Sequence, residues 1–469
     1  MGLKYGVAAL ARPTFDVPFA EDMKDRAFAA LEAAGIEAVG PRELLFDRAA
    51  AEQAVKQIGA AGPIDLLLIL QVTFTDATMT VEVARGAIAP LAIWAMPEPR
   101  AGGRLRLNAY CGLNLAAHAL GRANASHGWL YASPDEAGLG ERLRGLARPA
   151  ARLPSRAQPV RMAADANARS VADRALEALA GGTITVVGKH PDGFDTCEYD
   201  EGLLGTLAGM KVATVPLDQL FDKARAADAA RVADVHTAAA ADVRGLDKVD
   251  AAQLDRSFRV FCALEDVQRE SGARGLAVRC WPEMFTEYGC AACGPMAMMN
   301  EQGVPAACEA DVNGAITQLL LQELAREPAW MADLVDITPA GDTAVIWHCG
   351  LAPLSMRDPE VEAEATIHTN RRMPLLHQFP IKPGRITLAR LSHARNEVKL
   401  MVAGAEVIRA PMAFTGCSGT IRFDRPAAEV HETIMQEGLE HHFALAYGDH
   451  KPALSAIAAH WGIPVLELA

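Results

Sequence analysis

Apolar residues in the first two-thirds of the chain come in two alternating rhythms. Tyr5–Ala9 is a short apolar run. Phe19–Ala34 then repeats apolar positions at helical spacing through Met23, Ala27, Leu31 and Ala34. Gly35 stands where a helix C-cap is expected. Ile36–Val39 reads as a second strand, Arg48–Ile58 as a second helix, and Leu66–Leu70 and Ala92–Met96 as further strands. Continuous apolar strands between helices predict a parallel sheet covered on both faces. The segment from Glu141 to Val171, rich in Ala, Arg and Pro, reads as a linker or inter-domain helix. Beyond it the alternation restarts, with strands at Thr183–Val187, Lys211–Val215 and Leu276–Cys280 and a helix at Glu201–Leu207.

From about Ala344 the rhythm shortens. Ala363–His368, Gly384–Ser392, Glu397–Val402 and Glu406–Ala410 are β-rich runs, with Asn396 and Gly404 where tight turns are expected. A helix over Pro452–His460 and a strand over Pro464–Leu468 end the chain. The predicted fold is α/β: two doubly wound, Rossmann-like α/β domains, residues 1–165 and 166–343, then an antiparallel, β-rich, barrel-like domain over 344–469.

The bulk composition narrows the function. At 469 residues the chain exceeds one core, and 51% apolar residues make it globular. A net charge of −13 argues against a general nucleic-acid binder. The basic run Arg142, Arg144, Arg148, Arg152 and Arg156 reads as a solvated helix face or linker. No apolar stretch approaches the ~20 residues that span a bilayer. Met1–Val7 reads as a charged strand start rather than a signal peptide. The nine cysteines are odd in number and scattered, which predicts free thiols in a reducing, cytoplasmic setting. Cys290 and Cys293 form one CxxC without a second pair, so packing is favoured over zinc or redox chemistry.

Three segments gather chargeable residues beside apolar strands. In Ala307–Ala315, Asp311 is placed to cap the helix that presents Ile316, Leu319, Leu320 and Leu324, while Glu309 precedes the cap in a tight, small-residue loop. In Leu334–Pro339, Asp336 sits among apolar and β-branched residues, where a carboxylate is costly to bury unless paired or metal-bound. In Gly438–His450, His441 and His442 are adjacent within an apolar run, and a strand there would turn only one of them to a given site. His348, in Ile346–Gly350, is a fourth candidate ligand. Two carboxylates and an imidazole suit a divalent cation such as Mn²⁺ or Mg²⁺. No Walker sequence, dinucleotide fingerprint or GxSxG elbow is present.

The order of these segments resembles the L-fucose and L-arabinose isomerase superfamily: Glu-x-Asp before a helix, an isolated acid after it, and His-His near the C-terminus. Further similar segments are Trp94–Pro99, Cys111–Leu115, Gly188–Phe194, Trp281–Glu283 and Trp347–Gly350, so the likeness runs along nearly the whole chain. It is to the fucose-isomerase-like branch, because the second acid is Asp336 where the arabinose type has glutamate. A histidine near this region ligates metal in the arabinose type, but His348 is spaced differently from Asp336. The resemblance implies a soluble, metal-dependent aldose–ketose isomerase, with Glu309, Asp336 and His442 holding Mn²⁺, Mg²⁺ or Co²⁺. Glu309 and Asp336 would exchange protons through a cis-enediol of the open-chain sugar. It also implies a homo-trimer or hexamer in which Gln71, Trp94, Asn114 and His118 of one subunit face a neighbour's sugar. His190, Glu283, His348 and His441 are further candidate pocket residues. Two alternatives stay open: a related metal enzyme acting on a sugar acid, a sulfonated sugar or an epimerisable keto-sugar, and a non-catalytic sugar-binding protein.

Overall fold

The computed structural model describes residues 2–160 and 165–469. Five parallel strands form the first sheet, in the order Ile36–Val39, Leu3–Leu10, Leu66–Gln71, Leu91–Ala95, His127–Tyr131. Its helices include Val17–Ala33, whose first turn is held where Asp16 accepts the backbone N–H of Phe19. A second parallel sheet runs Ala306–Ala307, Gly275–Val278, Thr183–Val187, Lys211–Val215. Strands such as Leu66–Gln71 are buried along their whole length, which is why they read as unbroken apolar runs.

The third sheet is large and mixed. Six of its strands pair antiparallel in a closed ring: Lys399–Ile408, Gly384–Ser392, His442–Tyr447, Trp330–Thr338, Thr343–His348 and Cys417–Phe423, which pairs back to Lys399–Ile408. Trp330–Thr338 and Thr343–His348 are neighbours in that ring, so residue 343, where a boundary was expected, begins the second strand of a hairpin.

Gly404 corrects one expectation. The chain does not turn there: Lys399–Ile408 continues straight through it. A Cβ at Gly404 would lie 2.1 Å from Asp424 Oδ2 and 2.3 Å from Arg385 Nη2, so the glycine makes room for that ion pair. Asn396 does turn, with φ of 61°. Residues 161–164 of the expected linker lie outside the described residues. Before them, Arg142, Arg144, Arg152 and Arg156 each bond within the chain, Arg156 to Thr433 and Gln436 at 2.8 Å, and they do not gather into one binding face. Cys290 and Cys293 are buried, and all nine cysteines are free. Among the described residues no helix is long and apolar enough to cross a membrane.

The two parallel sheets and the ring face one cleft. Arg12 follows strand Leu3–Leu10, Phe74 follows Leu66–Gln71, Trp281 follows Gly275–Val278, and Glu309 follows Ala306–Ala307. All four therefore sit beyond carboxyl ends of parallel strands, where open α/β sheets present ligand sites.

Candidate functional site

The walls of the cleft include Glu309, Asp333, His348, His441, Trp281, Arg12 and Arg371. Glu309 occupies a turn that ordinary residues avoid. It and Ala310 are both left-handed, with φ of 59° and 55°, at a cost of order 1–2 kcal/mol each. The strain is held by the cap that follows. Asp311 Oδ1 accepts the N–H of Gly314 at 2.8 Å, and its buried Oδ2 pairs with Arg390. Gly314 is required there, because a Cβ would meet Met331 Sδ at 2.5 Å and Asp311 Oδ2 at 2.7 Å.

Strand pairing supplies the other side. Asp333 lies directly across from His442 in the antiparallel ladder, so both project from one face. His442 Nε2 is 3.3 Å from Glu309 Oε2 and 3.4 Å from Asp333 Oδ1. Its other nitrogen, Nδ1, donates to Asp311 Oδ2 at 2.8 Å, which leaves Nε2 aimed between the two carboxyls.

His441 also reaches the site, contrary to the expectation that only one of the pair could. The paired strand begins at His442, so His441 escapes strict alternation. The two rings lie 3.9 Å apart, and His441 Nε2 is 3.1 Å from Glu309 Oε2.

Asp336 is elsewhere, which corrects the expected triad. It lies across from Val345, beyond a bulge at Val335 that leaves Asp333 and Asp336 on the same face. Distance along the strand separates their partners. Asp336 accepts Arg100 Nε at 2.5 Å and the Tyr131 hydroxyl at 2.6 Å. Asp333 stands in its expected place beside Glu309 and His442. The signal was in the same apolar run, Trp330–Thr338, which contains two acids. Which of them faces a histidine about a hundred residues later is fixed by register alone.

Electrostatics set the groups apart. Burial raises Glu309, but the hydrogen bond from His441 and the charge of His442 outweigh it and bring the carboxyl down to about 2. Asp333 has less compensation, and burial pushes it up to about 7. His442 is raised: burial opposes its charge, yet the bond to Asp311 and the charge of Glu309 prevail. Burial lowers His348 to about 3 and His441 to about 4, so both are neutral. His348 Nδ1 accepts the N–H of Cys349 at 2.9 Å, which puts its proton on Nε2 and makes that nitrogen a donor rather than a ligand.

The donor set fits a divalent cation. Metal-capable atoms of Glu309, His441 and His442 lie within 4.8 Å of one another, and Asp333 Oδ1 approaches His442 Nε2 at 3.4 Å. Asp333 Oδ1 is buried with no hydrogen-bond partner among the described residues, as an acceptor awaiting a ligand would be. A His whose far nitrogen donates to a carboxylate is the usual orientation of a metal-binding imidazole.

Several other candidates do not reach the cleft. Gln71 bonds Thr73 O and Thr75 Oγ1, Trp94 donates to Ala132 O, and His118 lies 2.9 Å from Gly438 O. Asn114 is buried with no side-chain partner among the described residues. All four are core residues of their own chain. His190 turns its Nδ1 to the carbonyl of Pro191, and Glu283 is committed to Arg279 at 2.6 and 2.7 Å. Sequence reasoning missed Asp333, Trp281, Arg12 and Arg371. Trp281 lay inside a segment already recognised as similar, and its Nε1–H donates to Glu309 Oε1 at 3.0 Å.

The chain is similar to known sugar isomerases along most of its length. The fucose/sulfoquinovose isomerase N-terminal domain matches residues 6–140, and the L-fucose isomerase C-terminal domain matches residues 348–469. A sulfoquinovose isomerase of Alkalicoccus urumqiensis is 28% identical over 460 residues, covering 98% of each chain. A sulfoquinovose isomerase of Priestia aryabhattai is 28% identical over 94% of this chain and 93% of its own. Another, from a Clostridium species, is 28% identical over 84% of each.

Proposed function

The chain belongs to the fucose-isomerase-like family of aldose–ketose isomerases, and on that footing we propose that it isomerises a sulfonated aldose to its ketose. Of the two substrate expectations, the relatives' names favour the sulfonated sugar over an unspecified neutral one. The observation that carries the reading is the convergence of Glu309, Asp333 and His442 Nε2 at 3.3 and 3.4 Å in a cleft.

These three residues would hold a divalent cation, Mn²⁺ in this proposal, with Mg²⁺ or Co²⁺ as alternatives. When bound, it would polarise the C1 and C2 oxygens of the open-chain sugar and stabilise the negative charge of a cis-enediol. Glu309, ionised, removes the proton from C2 and later delivers it to C1. Asp333 gives a proton to O1 and takes one from O2, which leaves C2 as the ketose carbonyl. In the metal-free protein Glu309 is the stronger acid of the two, at about 2 against about 7, which is the order this division of labour needs. His441 steadies Glu309 by donation to Oε2, and Trp281 does so at Oε1.

The division into two doubly wound α/β domains and a barrel-like β-rich domain is part of the proposal. The last boundary is moved ahead of Trp330, because Trp330–Thr338 pairs within the ring. A homo-trimer or hexamer is also proposed, testable by sedimentation, as is a cytoplasmic setting, supported by nine free thiols.

The test is solvent-deuterium uptake by NMR with sulfoquinovose, glucose and fucose. The expected result is label at C2 of sulfoquinovose and C1 of its ketose, lost with chelator and restored by Mn²⁺. Exchange on the neutral sugars alone would overturn the sulfonated substrate. No exchange from any sugar by metal-loaded protein would overturn isomerisation.

A further inference from the structure

The wall of the cleft beyond Trp281 carries positive charge that the acid–base chemistry leaves unused. Two guanidinium groups lie against the same indole, Arg12 at 4.8 Å and Arg371 at 5.4 Å from the ring centre. The Nε1 edge of that indole donates to Glu309 at 3.0 Å. A single side chain thus separates the carboxylate end of the cleft from its cationic end.

The two arginines are not equivalent. Arg12 is neutralised by Asp76, whose Oδ2 it meets at 2.5 Å. Arg371 stacks on Trp281 and on Phe285, at 5.7 Å, and among the described residues its guanidinium has no hydrogen-bond or carboxylate partner. A half-buried cation without a counter-ion is costly to hold. Burial and the neighbouring charge of Arg12 both weaken its hold on the proton relative to an ordinary arginine. His368 lines the same cleft. Its Nδ1 accepts the backbone N–H groups of Asn370 and Arg371, each at 3.2 Å, so Nε2 carries the proton.

We propose that Arg371, flanked by Arg12 and the Nε2–H of His368, binds the sulfonate of the substrate and sets the enzyme's preference for sulfonated over neutral sugars. The inference rests on the reading of this chain as a sulfonated-sugar isomerase. A sulfonate is permanently anionic and offers three acceptor oxygens, which a guanidinium fork can meet with parallel N–H donors. In sulfoquinovose, a glucose with sulfonate in place of the C6 hydroxyl, that group lies at the opposite end of the carbon chain from C1 and C2. The charge layout then orients the sugar. Arg371 attracts the sulfonate to the end of the cleft away from Glu309 and Asp333, which leaves C1 and C2 beside those two carboxyls.

The experiment compares wild type with Arg371→Gln and Arg371→Lys, metal-loaded, on sulfoquinovose and on 6-deoxyglucose, which differs only in lacking the sulfonate. Arg371→Gln should lower the kcat/KM ratio of sulfoquinovose to 6-deoxyglucose by ~10²-fold, the usual scale for a lost charge-assisted bond. Arg371→Lys should recover part of it, with Mn²⁺ affinity and Tm matching wild type as the control for folding. Where 6-deoxyglucose is too slow to follow, inhibition by propanesulfonate, weakened in Arg371→Gln, gives the same comparison. An unchanged ratio, or equal loss on both sugars, overturns the sulfonate assignment while leaving isomerisation of sulfoquinovose intact. Wild type that exchanges 6-deoxyglucose but never sulfoquinovose overturns the substrate reading and this assignment with it.

Discussion

Asp311 accepts the Nδ1 proton of His442 at 2.8 Å while its own carboxylate is held by Arg390, both side chains being fully buried. Burial would raise Asp311, but the Arg390 charge and the bond from His442 keep its carboxyl well below the usual carboxylate range. The acid is therefore ionised at every working pH and fixes His442 with Nε2 turned towards Glu309 and Asp333. Asp311→Asn should keep the helix cap yet weaken Mn²⁺ binding by roughly 10–100-fold, the usual effect of losing such a partner. Calorimetric titration of the apo-protein checks this. Arg390→Met should do more damage, destabilising the protein by about 3–5 kcal/mol, because it strands a buried carboxylate.

Asp333 makes the metal-free protein pH-sensitive. Its carboxyl is raised from the ordinary aspartate value to about 7 by burial, so the folded state keeps a proton that the unfolded chain has lost. Between those two values the folded form binds more protons, and this group's contribution to stability falls as pH rises. Metal-free Asp333→Asn should therefore have a higher Tm than metal-free wild type at pH 8, with the difference shrinking towards pH 4. Adding Mn²⁺ should reverse the order at pH 8. Thermal melts at the two pH values, with and without cation, read all four cases.

Trp281 Nε1–H helps the two histidines to hold the Glu309 carboxyl down against burial, which raises it. Trp281→Phe keeps the aromatic face and removes the donor, so the Glu309 pKa should rise from about 2. The acidic limb of the kcat/KM profile should move upward with it, by less than the effect of His441→Phe. Steady-state rates down to pH 4 resolve the order.

Eight of the nine cysteines are buried and Cys349 is half-buried in the cleft wall. Burial raises Cys290 to about 12, and the contact with Cys293, then burial, raises Cys349. Native protein should therefore react slowly with an aromatic disulfide reagent, Cys349 first as the least buried, and yield nine thiols after denaturation. Substrate should slow Cys349 further.

Strand Leu66–Gln71 and helix Val17–Ala33 were legible because burial on both faces, or on one stripe, writes itself into local spacing. Glu309 was legible for a related reason, as an acid in a loop too tight to be ordinary surface. Gly404 was misread because a glycine that makes room for Arg385 and Asp424 looks, in sequence, like one that turns the chain. The pairing of His441 with His442 and the choice between Asp333 and Asp336 depend on where a ladder starts and which rows it joins. Those are long-range facts, and no local pattern carries them. Arg371 was invisible for the same reason, since its missing partner is a property of the fold.

The site is built on Asp333 rather than Asp336, and the most direct measurement is Asp333→Asn against Asp336→Asn. Deuterium uptake from sulfoquinovose and bound Mn²⁺ are read on both. Asp333→Asn should lose exchange by at least ~10²-fold, the scale of an acid–base group, and bind Mn²⁺ more weakly. Asp336→Asn should keep its metal and most of its exchange, and lose stability through Arg100 and Tyr131. The reverse pattern, with metal and exchange lost in Asp336→Asn and retained in Asp333→Asn, would contradict the site described.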